Sequence, residues 1–232
     1  MIRVATYNIL HAALKGLDAI ADVLRAIDPD LVALQEVDRG VARSGGVDQP
    51  AWLADRLGLH HAFACACPWE GGEYGLAILS RFPIAGTRVL RLPSRAILSL
   101  ADGAEPRIML SAGVDAPGGP LTFNATHLGL HPTERMLQAE AIAGELAGRP
   151  RVLLCGDLNE GHTEPAFLRL AREGFVDCLG ERGDLPLRSY PSHAPTIGID
   201  HVLRSADLPA AGVARAVAAD ASDHLPVVVD LG

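Results

Sequence analysis

Apolar residues recur along this chain in short blocks separated by Gly, Pro, Asp and Asn, the rhythm of many short strands joined by turns. Ile2 to Tyr7 and Leu31 to Leu34 are continuous enough to be buried strands. Between them Leu17, Ile20, Leu24 and Ile27 recur at spacings of 3, 4 and 3, the stripe of an amphipathic helix. Asp28-Pro29-Asp30 ends that helix, because the residue before proline avoids helical geometry. Ala51 to Leu57 predicts a short helix, and Gly75 to Ser80, Thr87 to Leu92 and Arg107 to Val114 predict strands. Pro117-Gly118-Gly119-Pro120 is a turn, across which Leu121 to Thr126 pairs back as a hairpin partner. Helices follow at Thr133 to Leu146 and Glu164 to Ala171, with strands at Val152 to Cys155, Ile199 to Leu203 and Leu225 to Val229. Strand–helix–strand units flank a run of strands, an order that favours an α+β fold with a two-sheet core and outer helices over one continuous parallel sheet.

The 232 residues suit a single domain, 1–232, since no repeat or linker divides them. With 49% apolar and 21% charged residues, a disordered or fibrous chain is excluded. No apolar run reaches the length of about 20 residues that a membrane helix needs, and the N-terminus carries no secretory pattern. Cys65-x-Cys67 is too close for half of a standard zinc knuckle, and no matching pair follows. Cys155, in an apolar run, reads as a small core residue. Four reduced thiols and a cytoplasmic location are therefore expected.

Charge narrows the partners. Twenty basic residues stand against 28 acidic ones, and Lys15 is the only lysine. Non-specific nucleic-acid binding depends on neutralising many phosphates, so this balance disfavours it. Aromatic residues at 4% leave few rings for stacking bases.

The polar residues fall at strand ends. Asn8 follows the first strand, Glu36 the second, His127 the hairpin strand, and Asp157 and Asn159 the strand Val152 to Cys155. Asp200 and His201 lie in the next strand, and Asp223 and His224 directly precede the last. If those ends gather on one face, a hard-cation site and acid–base groups share one cleft. His201 points to the opposite side of its strand from Asp200 and is expected to be structural.

Seven short motifs in order carry a resemblance. They are Thr6-Tyr7-Asn8-Ile9-Leu10, Leu34-Gln35-Glu36-Val37, Gly75 to Pro83, Thr126-His127-Leu128, Gly156-Asp157-Leu158-Asn159, Ile199-Asp200-His201-Val202 and Ser222-Asp223-His224-Leu225-Pro226. Each alone is weak; together they resemble the endonuclease/exonuclease/phosphatase superfamily from Thr6 to Pro226. The resemblance implies a four-layer αββα sandwich and Mg²⁺-dependent attack of water on a phosphoester, with Mn²⁺ as a substitute. It implies Glu36 as the main metal-binding residue, Asn8 beside it and Asp223 as a metal-proximal aspartate. Asp157 matches the aspartate that activates or orients the water, and Asn159 the asparagine that holds the phosphate. His224 matches the histidine facing the scissile phosphate, oriented by Asp200. His127 matches a second histidine of the deoxyribonuclease and sphingomyelinase branches, where abasic-site endonucleases usually carry tyrosine.

Two further residues are expected to bind substrate. Arg107 begins a strand where the family often has a phosphate-side arginine. Glu73 lies one position from the acid that pairs with the first histidine in deoxyribonuclease-like members, so its register is open. His11 either lines the cleft or lies on the surface. The loop Arg43 to Gln49 sits where substrate-choosing loops sit, and Asp48 within it is equally suited to cap the following helix.

The chain is short for this superfamily and lacks lysine-rich loops. The expectation is a monomeric phosphodiesterase or phosphatase acting on a small-molecule or lipid-head-group phosphoester. A DNA or RNA nuclease is the alternative, and an inactive binding module on the same fold the least favoured reading.

Overall fold

The computed structural model describes residues 1–94, 105–180 and 187–232. Twelve strands and four α-helices are formed among them. In chain order they are β1 (Ile2–Asn8), α1 (Gly16–Ile27), β2 (Leu31–Arg39), α2 (Gln49–Leu57), β3 (His60–Trp69), β4 (Gly72–Ser80), β5 (Ile84–Arg91) and β6 (Ile108–Val114). Then follow β7 (Leu121–His127), α3 (Pro132–Leu146), β8 (Val152–Asp157), α4 (Pro165–Arg172), β9 (Phe175–Asp177), β10 (Asp200–Ser205), β11 (Ala211–Ala216) and β12 (Val227–Leu231). One sheet has the order β11-β12-β1-β2-β4-β3 and the other β5-β6-β7-β8-β10-β9.

Strand alternation sorts the side chains into layers. Val4, Leu31, Ile78, Leu110, Phe123, Leu153, Val202 and Val229 fill the space between the sheets. The opposite face of the first sheet packs Tyr7, Leu34 and Leu79 against Ile20 and Leu24 of α1 and Leu53 of α2. The outer face of the second packs Met109 and Leu154 against Ile142 and Leu146 of α3 and Phe167 and Leu170 of α4. The result is the four-layer α+β sandwich expected from the sequence.

At the centre of each sheet lies one parallel pair, β1 with β2 and β7 with β8, each joined by a crossover helix. Asn8, Glu36, His127 and Asp157 lie at or near the carboxyl ends of these four strands. β12 and β10 run antiparallel to β1 and β8. An antiparallel neighbour starts where its partner ends, so Asp200 and His224 are delivered to the same edge of the sandwich. Carboxyl ends of central parallel strands are where α/β sheets place their ligands.

Three strands lie outside the sequence-based expectations: β3, β9 and β11. All are edge or next-to-edge pieces, poor in branched apolar residues or short. Gly156 has a steric role: a Cβ there would meet the Thr126 carbonyl oxygen at 2.0 Å. The residue before Asp157 must be glycine for β7 and β8 to approach.

Candidate active site

Parity places most of the site directly. Asn8 shares a strand face with Val4, Asp157 with Leu153, His127 with Phe123 and Asp200 with Val202, all pointing between the sheets. Glu36 breaks the rule. By alternation it belongs with Val32 and Leu34 on the helix side. The β2–β4 register slips between Leu34 and Val37, and Glu36 adopts a left-handed φ of 55°. Bulges re-aim side chains in this way, at a cost of about 1–3 kcal/mol in backbone strain. Here the bulge turns the carboxylate onto Asn8.

Asn8 is buried and joins two carboxylates. Its Nδ2 donates to Glu36 Oε1 at 2.9 Å and to Asp157 Oδ2 at 3.2 Å. Its Oδ1 accepts from Leu10 N at 3.1 Å, which fixes the amide orientation. Asn8 therefore faces the site with its nitrogen. Asp157 Oδ1 accepts from Asn159 N at 2.9 Å. Asn159, itself left-handed at φ 52°, donates from Nδ2 to Leu128 O at 2.9 Å and reaches His127 Nε2 at 3.2 Å. The same ring nitrogen lies 3.4 Å from Asp157 Oδ2.

His224 completes the cluster. Its Nδ1 lies 2.9 Å from Asp200 Oδ2, and its Nε2 lies 3.7 Å from Asp157 Oδ2. Ser189 Oγ donates to the same Asp200 oxygen at 2.5 Å. Tyr190 lays its ring against the imidazole with centroids 4.8 Å apart. Ser222 Oγ donates to Asn8 O at 2.7 Å, binding the Asp223–His224 turn to β1. Ser189 and Tyr190 escaped the sequence reading, since Ser-Tyr-Pro-Ser signals only a turn.

Burial and charge set the protonation states. Desolvation, then the Asp200 charge, pushes Asp157 up to about 7, against His224, the Asn159 N–H and the Asn8 amide. Burial lowers His224, but Asp200, Asp157 and Asp223 outweigh it and raise the imidazole to about 9. Desolvation, with Arg107 and His224 adding to it, holds His127 well below its ordinary value. Burial raises Glu36, opposed by Asn8 and reinforced by Glu105 and Asp223. One histidine is charged and the other neutral at neutral pH.

The cluster can be tested for a metal. Asp157, Asp200 and His224 bring ligand atoms within 4.8 Å of one another. His224 spends Nδ1 on Asp200 and holds Nε2 3.7 Å from Asp157 Oδ2, so both ring nitrogens already face carboxylates. Glu36 is better suited: among the described residues its Oε2 takes no hydrogen bond, and Asp223 lies within electrostatic reach. Oxygen donors without thiolates suit a hard divalent ion.

The remaining expectations divide. Arg107 is buried at the head of β6, where its charge lowers His127. Glu73 is elsewhere: its carboxylate pairs with Arg39, which lies over the Phe63 ring on the helix side of the first sheet. Tyr74, one residue on, faces between the sheets, so the open register resolves away from Glu73. His11 lies in a 3-10 turn, Leu10–Ala12, all of whose residues are left-handed. It lines a cleft of about 400 Å³ with Arg43, Gln49 and Trp52. Asp48 caps α2, accepting from Ala51 N at 3.1 Å. His201 is buried and bonded through Nε2 to Glu160 O at 2.8 Å, as expected of a structural histidine. All four cysteines are free thiols, and Cys155 is buried in the core. No helix among the described residues is long and apolar enough to cross a membrane.

Comparison with known proteins gives the same outline. The sequence model of the Endonuclease/Exonuclease/phosphatase family matches residues 5–224. The uncharacterised protein YbhP of Escherichia coli (strain K12) is 26% identical over 231 residues, covering 93% of this chain and 88% of YbhP. Among solved structures, an endonuclease/exonuclease/phosphatase from Beutenbergia cavernae DSM 12333 is 26% identical with a TM-score of 0.77, covering all of this chain and 72% of that one. A mannosyl-6-phosphatase of Bacteroides thetaiotaomicron VPI-5482 shares the fold at 18% identity and a TM-score of 0.77, with both chains covered in full.

Proposed function

The chain belongs to the endonuclease/exonuclease/phosphatase family, and from that premise we propose that it is a metal-dependent hydrolase of phosphoester bonds. Its substrate is a small-molecule or lipid-head-group phosphodiester or phosphomonoester. The observation that carries this reading is the Asn8 amide, which holds Glu36 and Asp157 side by side opposite the Asp200–His224 pair.

Glu36 and Asp223 would hold Mg²⁺ or Mn²⁺, with Asn8 orienting Glu36. When bound, such an ion supplies positive charge to the phosphoryl oxygens. The other roles fall to the chain itself. Asp157, poised near neutral pH, accepts a hydrogen bond from the attacking water and takes up its proton. The His224 imidazolium presents Nε2–H toward the charge that grows on the phosphoryl oxygens, while Asp200 fixes Nδ1–H as the other proton. Asn159, whose amide hydrogens go to Leu128 O and His127 Nε2, positions neutral His127, which faces the same Asp157 oxygen as His224. Arg107 adds a buried cation beside His127.

The acidic balance and the scarcity of aromatic rings favour a small substrate over DNA or RNA. Assay of the purified protein with Mg²⁺ against bis-p-nitrophenyl phosphate, plasmid DNA and phospholipid vesicles tests the reading. Release of nitrophenolate that Glu36→Ala abolishes supports it. Turnover of DNA alone replaces the substrate class, and turnover of nothing overturns the reading.

A further inference from the structure

Among the described residues, Leu10, His11 and Ala12 are the only three in succession with left-handed backbone, at φ 45°, 42° and 61°. Each carries a Cβ that this hand crowds, so the turn is strained, and strained backbone persists only where its surroundings hold it. The side chain that grips it from outside is Gln49, at the start of α2. Gln49 Nε2 donates to His11 O at 2.8 Å, and Gln49 Oε1 accepts from Asp38 N at 2.9 Å. The residue is 1% exposed, so loss of either bond leaves a buried polar group unpaired.

The two partners of Gln49 are placed alike. His11 follows Asn8 by three residues, and Asp38 follows Glu36 by two. One side chain therefore clasps the segment leaving Asn8 to the segment leaving Glu36, and Asn8 and Glu36 are joined by their own bond at 2.9 Å. The turn also supplies the group that orients Asn8, since Leu10 N donates to Asn8 Oδ1 at 3.1 Å. That bond sets Nδ2, and not Oδ1, toward the Glu36 and Asp157 carboxylates. The turn is short and anchored at both ends, by β1 and by α1, so any relaxation is taken up within it, where Leu10 N lies. Glu36 is left-handed as well, at φ 55°. The clasp thus lies across two strained exits.

Resting on the phosphoesterase reading, we infer that Gln49 is a positioning residue for the reaction, one that keeps the Asn8 amide on Glu36 and Asp157 by clasping the left-handed turn to β2. Its carbonyl and its amide are both engaged within the chain, so it acts through Asn8 and not on the substrate. A small displacement of a group that aligns reacting partners costs rate far more than binding, and the effect of Gln49 belongs in kcat.

The test uses two variants. Gln49→Met keeps the length of glutamine without a donor or an acceptor. Gln49→Glu keeps the acceptor for Asp38 N and, ionised at the start of a helix, offers no N–H to His11 O. With bis-p-nitrophenyl phosphate and Mg²⁺, each is expected to lower kcat by on the order of 10-fold with KM little changed. Adding Ala12→Gly, which relieves the left-handed strain without the clasp, is expected to restore part of that kcat, and Ala12→Gly alone to match wild type. NMR of the metal-free protein gives a readout independent of turnover. The two Asn8 side-chain amide hydrogens are expected to exchange slowly in wild type, on the order of 10-fold faster in both Gln49 variants, and slowly again with Ala12→Gly. Wild-type kcat or wild-type exchange in a folded Gln49 variant overturns the inference, as does a loss confined to KM or one that Ala12→Gly does not lessen. Should Gln49→Met fail to fold, Gln49→Glu decides alone. An inactive wild type removes the phosphoesterase reading, and the exchange rates then decide whether the clasp holds Asn8.

Discussion

His224 Nδ1 lies 2.9 Å from Asp200 Oδ2, although 24 residues separate the two in sequence. Asp200 opens β10 and His224 precedes β12, strands of different sheets, so the pair links the two halves of the sandwich at the edge that carries the candidate site. Under the proposed function Asp200 acts on substrate only through His224. Asp200→Asn and His224→Ala should therefore each lower kcat with little change in KM, and His224→Ala by on the order of 10²–10⁴-fold. The double variant should resemble His224→Ala alone, because residues that act as a unit are not additive. Steady-state kinetics of the three variants checks this; independent, multiplying losses would refute the pairing.

Glu36 predicts a separation of stability from activity. Its φ of 55° is strained for a residue with a Cβ and comfortable for glycine. Its half-buried carboxylate also carries a raised pKa, pushed up by desolvation. Glu36→Gly should remove metal-stimulated activity while holding or raising the melting temperature, whereas Glu36→Ala should remove activity without the gain. Thermal unfolding of the metal-free variants reads this directly. A large drop in melting temperature for Glu36→Gly would show a structural residue instead.

The raised carboxyl of Asp157 and the raised imidazole of His224 act on stability with one sign. A folded pKa above the unfolded one means that the native state binds more protons, so stability falls as pH rises between the two values. For Asp157 that window runs from its ordinary 3.8 to about 7, and for His224 from 6.5 to about 9. In metal-free protein the stability of Asp157→Asn relative to wild type should grow from acid to neutral pH. Wild type should lose stability between about pH 6.5 and about pH 9, and His224→Gln should flatten that loss. Urea titrations across this range measure both slopes; a wild type that gains stability above neutral pH contradicts the assignment.

Arg135 of α3 and Glu160 are both almost fully buried and meet at 2.7 Å. Glu160 also accepts from Phe167 N at 2.7 Å, and Arg135 donates to Leu130 O at 2.7 Å. The pair ties the loop after His127 to the loop after Asp157. Arg135→Met leaves an unpaired buried carboxylate and should cost about 3–5 kcal/mol in stability. Chemical denaturation checks it, and a loss below about 1 kcal/mol would mean that the pair is solvated.

Much of this was readable in the residues because strands alternate. A polar side chain closing an apolar strand has to emerge at its end, and Asn8, His127 and Asp157 do so on the face that alternation assigns them. The helix α1 follows from its stripe alone. Glu36 was identifiable as a site residue, but its route into the site was not, since a bulge leaves no mark in the hydrophobic pattern. Glu73 shows the converse: one residue of register moves a side chain to the other face of a sheet, and Tyr74 occupies the inner one. β3 was missed because Ala and Cys alternate where branched residues would signal a strand. Ser189 and Tyr190 were invisible because their roles arise from a segment brought in by tertiary packing.

The central claim is that the edge carrying Glu36, Asp157 and His224 hydrolyses phosphoesters with a hard divalent ion. The direct measurement is bis-p-nitrophenyl phosphate hydrolysis by protein treated with EDTA and dialysed, before and after addition of Mg²⁺, Mn²⁺ or Zn²⁺. The account predicts no turnover without metal, recovery with Mg²⁺ or Mn²⁺, and no recovery of either kind in Glu36→Ala, an oxygen-donor site having no call for tightly held zinc. Full activity after EDTA, or stoichiometric zinc in the active protein, would contradict it.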